Sequence, residues 1–356
     1  MYYGIDLHSD NLKAAVLGND ENEPVIMRSS LEPEHFEKFL KRLSKEDYIA
    51  VEASTNTFWF YDQVKPFVRE CYVIDPGKFA LVSNSMVKTD KRDAVSLVRM
   101  LKYSVITGEP LHTVYIPNIE VREIRGLFTT YNLLKTDIVR MKNRIHSLLK
   151  QNGFKCKRES LDTIKTKEKI LQLNMSETVL FEINLLFKLM ENMKTSFEEI
   201  KKKILEKGKI FIDEIKLLTS IKGISPFTAI GIMSDVADIN RFPNVKNFCS
   251  YLRSAPKVDS SNQTTKIGKI NKRSRRISME LIIQGITHFR SCKKFNYFYE
   301  KKCKGKSKGK VRVALARKVM VAIYYMLKKR ELFYYVDKIS YEKKKRVYET
   351  YLKKVS

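Results

Sequence analysis

Hydrophobic and polar positions follow two rhythms in this chain, and the change between them falls near residue 105. Before it come short runs with the length and composition of strands: "YYGIDL", "LKAAVLG", "PVIMRS", "YIAVEAS" and "CYVID". A helical "PEHFEKFLKRL" lies between the third and fourth, and "FWFYDQVKPFV" between the fourth and fifth. Three strands in succession, then strand alternating with helix, predict an α/β domain. From Pro117 to about Asn152, Val121, Ile124, Phe128, Tyr131, Leu134, Ile138, Met141, Ile145 and Leu148 recur three and four apart. That spacing predicts one long amphipathic helix closed by Gly153. A second spans roughly Ser176 to Leu205 through Ile183, Leu186, Met190, Met193, Phe197, Ile200 and Ile204. Two such helices make a hairpin within one chain or a coiled coil between chains, and the period fits both. Beyond residue 210, "LLTSIKGISPFTAIGIMSDV" has the layout of a helix-hairpin-helix, with its tight turn at Gly223. The backbone N–H groups of such a turn can hold a phosphate. Ser225 stands where a second glycine is usual, and an ordinary helix turn has the same layout. The expected division is 1–110, 111–210 and 211–356.

Composition narrows the class. With 356 residues, 43% of them apolar, the chain can bury a substantial core. No apolar run approaches a membrane span, and the first residues lack a signal peptide's layout, so a cytoplasmic protein is expected. Cys71, Cys156, Cys249, Cys292 and Cys303 are scattered, with no CxxC pair, and read as reduced thiols.

Charge sharpens the picture. The formal net charge is +28, yet residues 1–94 hold 12 Lys/Arg against 16 Asp/Glu, while residues 301–356 hold 19 against 4. A mildly acidic head on a strongly basic body points to a polyanion binder whose acidic part has a separate task; a merely solvated lysine-rich surface is the plainer alternative.

That task is legible in four carboxylates. Asp6 ends the first strand, Glu52 ends another in "AVEAS", and "KTDKRDA" supplies Asp90 and Asp93, which share a face if helical. Converging at the strand ends, such a cluster repels itself and calls for a cation. Hard oxygen donors suit Mg²⁺ or Mn²⁺, and two such ions serve phosphodiester chemistry.

These pieces resemble the DEDD motif of the RuvC-like, RNase H-like domain in the "one-ten" family of insertion-sequence transposases. The likeness runs through nearly the whole chain, because "LLTSIKGISPFTAIGIMSDVADINRFPNVKNFCSYL" resembles the start of that family's C-terminal transposase domain. In the following "APKVDSSNQTTKIGKINKR", the family carries a serine five residues past a proline, which is Ser261 counted from Pro256; Ser260 is adjacent. Asn262 replaces the usual next glycine, and the later "K-x-G-N" and "LR" positions read Ser274-Arg275 and Ser278-Met279. The resemblance implies a recombinase that cuts and rejoins donor and target DNA, guided by a bridge RNA encoded in its own element. It also implies a dimer, or dimer of dimers, that joins the acid cluster of one subunit to the nucleophilic serine of another. Gly223, Lys266, Lys269, Lys272, Arg273 and the run Lys343, Lys344, Lys345, Arg346 are then the expected nucleic-acid contacts.

Other classes share parts of this pattern. An actin-like ATPase or sugar kinase opens with a similar strand but needs Gly-rich phosphate loops, which a chain with 13 glycines does not display. A RuvC-like structure-specific endonuclease would share the acids without needing the serine block. A catalytically inactive nucleic-acid-binding protein would need neither.

Overall fold

The structure, a computed structural model, describes residues 1–78, 90–261, 264–270 and 275–355; at 90–91, 256–261, 264–267, 269–270 and 355 it describes the backbone alone. Lys272 and Arg273, together with Asn262, therefore lie outside the described residues. The chain forms two compact units, Met1–Pro117 and Asn118–Ser356.

The first unit is a five-stranded mixed sheet. Its strands are β1 (Tyr2–Leu7), β2 (Asn11–Leu17), β3 (Val25–Ser30), β4 (Tyr48–Glu52) and β5 (Glu70–Ile74), in the order β3-β2-β1-β4-β5. The first three form an antiparallel meander, and β4 and β5 join β1 in parallel. All five strands match the expected runs. Helices α1 (Pro33–Leu40) and α2 (Thr57–Val64) supply the connections that parallel strands require. The central strands read as nearly continuous apolar runs because both faces are covered. Tyr3, Ile5, Leu7, Ile49 and Val51 pack with Phe36, Phe39 and Phe60 on one face. Tyr2, Ala15, Leu17 and Ala50 meet Ala94, Leu97, Val98 and Leu101 on the other. Those four residues belong to α3 (Asp90–Thr107).

The second unit is mostly helical. Helix α4 (Ile119–Gln151) starts on the Asn118 side chain, which accepts from Val121 N at 3.0 Å. It stops at Gly153, whose φ of +81° is the left-handed turn the sequence anticipates. After the short α5 (Ile164–Leu171) comes α6 (Glu177–Lys207), capped by Ser176. The two long helices pair within the chain, which resolves the alternative left open by their period. Glu123 meets Lys207, Tyr131 stacks on Phe197 at 4.7 Å, and Arg144 meets Glu182, so the helices run antiparallel. Their far ends enclose Ile145, Leu148, Leu149, Leu161, Ile170, Ile183, Phe187 and Met190. Their near ends merge into a larger core with α7 (Ile212–Thr219), α8 (Pro226–Val236) and α9 (Val245–Tyr251).

A two-stranded hairpin follows, β6 (Pro256–Ser261) and β7 (Thr264–Ile270), in a stretch that reads as a polar loop. The chain ends in α10 (Ile277–Gln284), α11 (Ile286–Phe289), α12 (Lys293–Cys303), α13 (Lys308–Lys329) and α14 (Lys338–Val355). Among the described residues no helix is long and apolar enough to cross a membrane.

Candidate active site

Period-two alternation assigns the acids to a face. Along β1, Tyr2, Gly4 and Asp6 point to the side covered by α3, whereas Tyr3, Ile5 and Leu7 point to the other. Along β4, Glu52 shares the α3 side with Ala50. The last parallel pair of these strands is Ile5–Val51, so Asp6 and Glu52 stand next, at the neighbouring C-terminal ends.

Helix α3 approaches this end with its N-terminus. A methyl group on Gly4 would sit 2.3 Å from the Ala94 carbonyl oxygen and 2.4 Å from Val98 N, so only glycine permits the contact. At the other end of α3, Lys102 Nζ donates to Gly18 O and Glu21 O, just past β2, whose Leu17 pairs with Tyr2 at the start of β1. The helix thus runs opposite to β1, and its first residues lie toward Asp6. Asp93 is half-buried and extends the buried Ala94–Leu97–Val98–Leu101 face by one turn. Asp90 begins the helix on the same face, with its side chain outside the description.

The fold therefore brings Asp6, Glu52 and Asp93 to one end of one face of the sheet. Among the described residues no three His, Cys, Asp or Glu side chains already form a metal cluster. The donor set itself, carboxylate oxygens from two strand ends and a helix, matches a hard divalent cation.

Two features escape the sequence reading. His8 Nε2 lies 3.1 Å from Asp6 Oδ2, close enough to orient the carboxylate. Its position two residues past Asp6 is the only signal for it. The register Asp6–Lys13–Arg28 also sets two cations beside the acid in one row across the sheet. Lys13 and Arg28 line an open polar groove of about 840 Å³ with His8, Asn11 and Ser29. The end of the sheet is held by the loop after β4: Asn56 Nδ2 donates to His8 O at 2.7 Å and Thr57 Oγ1 to Glu52 O at 3.1 Å.

The serine block lies in the second unit. Ser260 pairs with Thr265 and Ser261 with Thr264, which puts Ser261 at the end of β6 beside the hairpin tip; their side chains are outside the description. Lys266 and Lys269 lie on β7, likewise described in backbone only. The hairpin rises between anchored ends. Before it, Ser254 Oγ donates to Cys249 O at 2.8 Å. After it, Ser278 donates to Asp235 Oδ2 from its N (2.8 Å) and its Oγ (2.9 Å). Asp235, the penultimate residue of α8, is fully buried, and desolvation raises its carboxyl above the usual range despite these bonds. Arg125 Nε donates to Ser234 O at 2.6 Å and Arg241 Nε to Val236 O at 3.0 Å, so two guanidiniums close the C-terminus of α8. Burial lowers Arg125 to about 10. This network was not read from the sequence; its signals are an arginine on the apolar face of α4 and an aspartate in an apolar helix.

Gly223, at φ +106°, makes the turn between α7 and α8. A Cβ there would lie 2.9 Å from the Phe289 ring, so this glycine serves packing as well as turn geometry. Lys343 and Arg346 are exposed and Lys345 half-buried on α14. Lys344 differs from them. Its ammonium donates to Thr219 O (2.9 Å), Ile221 O (3.0 Å) and Ile224 O (3.0 Å), closing the carbonyls of the Gly223 turn, so its three donors are engaged inside the protein instead of facing a phosphate.

Comparison with known proteins fits both halves. A transposase model of the DEDD type from the IS110 group matches residues 3–153, and the transposase IS116/IS110/IS902 family model matches residues 215–300. Together they take in most of the chain, including the acid end of the sheet and the hairpin with its anchors. The chain belongs to the IS110 family of DEDD transposases. The transposase for insertion sequence element IS1533 from Leptospira borgpetersenii is 22% identical over 252 residues, covering 68% of this chain and 72% of that one. The putative transposase y4qE of Sinorhizobium fredii is 21% identical over 225 residues, 62% of this chain and 52% of that protein, so the chain spans about half of it. As an IS110-family transposase it is a DNA-cutting enzyme, and the DEDD type implies use of a divalent metal.

Proposed function

We propose that this transposase cuts and rejoins DNA with a composite centre: Asp6, Glu52, Asp90 and Asp93 in the first unit, and Ser261 in the second. The observation that carries the proposal is the convergence of Asp6, Glu52 and Asp93 at one end of a β3-β2-β1-β4-β5 sheet, an arrangement we read as RNase H-like. Mg²⁺, or Mn²⁺ in its place, would be held by the four carboxylates and would polarise the scissile phosphate when bound. His8 keeps the Asp6 carboxylate oriented, and the Lys13–Arg28 row guides the phosphate backbone toward it. The Ser261 hydroxyl attacks phosphorus, forming an Oγ–P bond as the bond to one sugar oxygen breaks. The phosphoserine ester keeps the bond energy, and a strand hydroxyl later displaces the serine and restores a DNA phosphodiester. Because acids and serine lie in different compact units, the centre can be completed between subunits, in a dimer or dimer of dimers.

Guidance by an element-encoded bridge RNA fits the charge distribution, since base pairing would read sequence while Lys343, Lys345, Arg346, Lys266, Lys269, Lys272 and Arg273 contact backbone. The α7–α8 turn at Gly223 is read as a helix-hairpin-helix that contributes to the same surface.

Asp6→Ala and Glu52→Ala are expected to lower Mg²⁺-dependent strand cleavage at least a thousandfold while leaving nucleic-acid binding within about twofold of wild type. Cleavage at the wild-type rate in either variant would remove the acids from the centre.

A further inference from the structure

A strongly basic stretch of the chain surrounds a groove lined by aromatic rings. Residues 293–329 hold 13 Lys/Arg and a single acid, Glu300. Helices α12 and α13 pack there, and the segment after α13 closes one side of a groove of about 400 Å³. Its floor is Phe295 stacked on Phe333, with ring centroids 5.6 Å apart and planes at 20°. Phe298 and Tyr335 form its walls, and every charged side chain lining it, Lys294, Arg317 and Lys318, is cationic.

The site is built, not incidental. Arg330 ends α13 in the left-handed conformation, at φ +57°, held by Glu214 at 2.5 Å. Phe333 N donates to Ser220 Oγ at 2.9 Å, which fixes the segment and leaves Tyr335 at the rim. The cations sit at the rings: Lys318 Nζ is 5.0 Å from the Phe298 centroid, and Lys294 Nζ is 5.3 Å from that of Tyr335 and 3.0 Å from its hydroxyl. A planar, electron-rich ring entering between these walls would gain stacking and cation contact together, and a chain of phosphates attached to it would meet the lysine rim. An acidic or purely apolar occupant lacks one half of this match.

We propose that this groove is a nucleobase-stacking site that holds an unpaired base of a bound strand, with the neighbouring phosphates on Lys294, Arg317 and Lys318. The proposal rests on the nucleic-acid reading above and deepens it, by naming where an unpaired nucleotide is held apart from the cleavage centre.

The test uses full-length protein and single-stranded DNA and RNA oligonucleotides carrying 2-aminopurine, whose fluorescence falls on stacking. Wild-type protein should quench it. Tyr335→Ala and Phe298→Ala should lose the quenching and weaken binding by about fivefold or more, as expected for one lost base–aromatic stack. Tyr103→Ala, an exposed tyrosine of the first unit, should behave as wild type. An oligonucleotide abasic at the labelled position should bind wild type and Tyr335→Ala equally. Tyr335 is exposed, so its loss leaves the core intact, and Lys318→Gln gives an independent check that spares both rings. Stronger quenching of RNA than DNA, or the reverse, would identify the strand. Normal binding and quenching in both ring variants would overturn the proposal, as would an apolar peptide that binds wild type but not Tyr335→Ala while oligonucleotide binding is the same in both. Absence of any oligonucleotide binding by wild type would instead bring down the nucleic-acid reading itself.

Discussion

Lys344 lies in a run of four basic residues that reads as a solvated or phosphate-binding face, yet it points inward. Sequence does not show which lysine of the run the docking of α14 will cover, because that depends on the carbonyls left open at the Gly223 turn. Asp235 and Arg125 were hidden for the same reason: their partners are over forty and over a hundred residues distant. Asp6 and Glu52 were legible because strand ends are marked locally. Burial of Lys344, with Asp337 and Lys222 as its charged neighbours, lowers its pKa from 10.5 to about 8. Below pH 8 the ammonium is protonated in both folded and unfolded chains. Between about 8 and 10.5 the unfolded chain still holds the proton that the folded one has released, so this group's contribution to stability rises with pH. Thermal unfolding of wild type and Lys344→Met across pH 7.5–10 should show the difference shifting toward wild type as pH rises. A difference that is flat, or that moves the other way, would mean the amine is solvated.

At the level of elements, every described strand of the first unit was recoverable from apolar runs, and both long helices from their 3.6-residue period. The β6–β7 hairpin was not, because its alternation is carried by Lys, Thr and Ser in place of apolar residues. The docking of α3 on β1 was also invisible, since it depends on the absence of a side chain at Gly4. Gly4→Ala should therefore destabilise the protein by about 1–3 kcal/mol through overpacking. It should also depress cleavage beyond its effect on folding, as α3 shifts and carries Asp90 and Asp93 away from Asp6. Gly126→Ala is the control: it lies within α4, with nothing within 4 Å of a new Cβ, and should stabilise by about 0.4–1 kcal/mol. Equal melting temperatures for the two variants would show that the α3 contact is looser than described.

On the scale of the molecule, charge and chemistry are divided between two units, with the acids in one and the serine hairpin, the aromatic groove and most of the cations in the other. The transposase family was legible because its two blocks occur in order, although the serine stands in a stretch with little local pattern. In the proposed reaction, a covalent step at Ser261 would join the two halves. Labelled donor and target DNA, incubated with wild-type protein, Mg²⁺ and the proposed bridge RNA of its element, should yield a protein-linked DNA band on denaturing gels. That band should vanish in Ser261→Ala and persist in Ser260→Ala. A band that survives Ser261→Ala but is lost in Ser260→Ala, or an active wild type that forms no band at all, would contradict the serine mechanism.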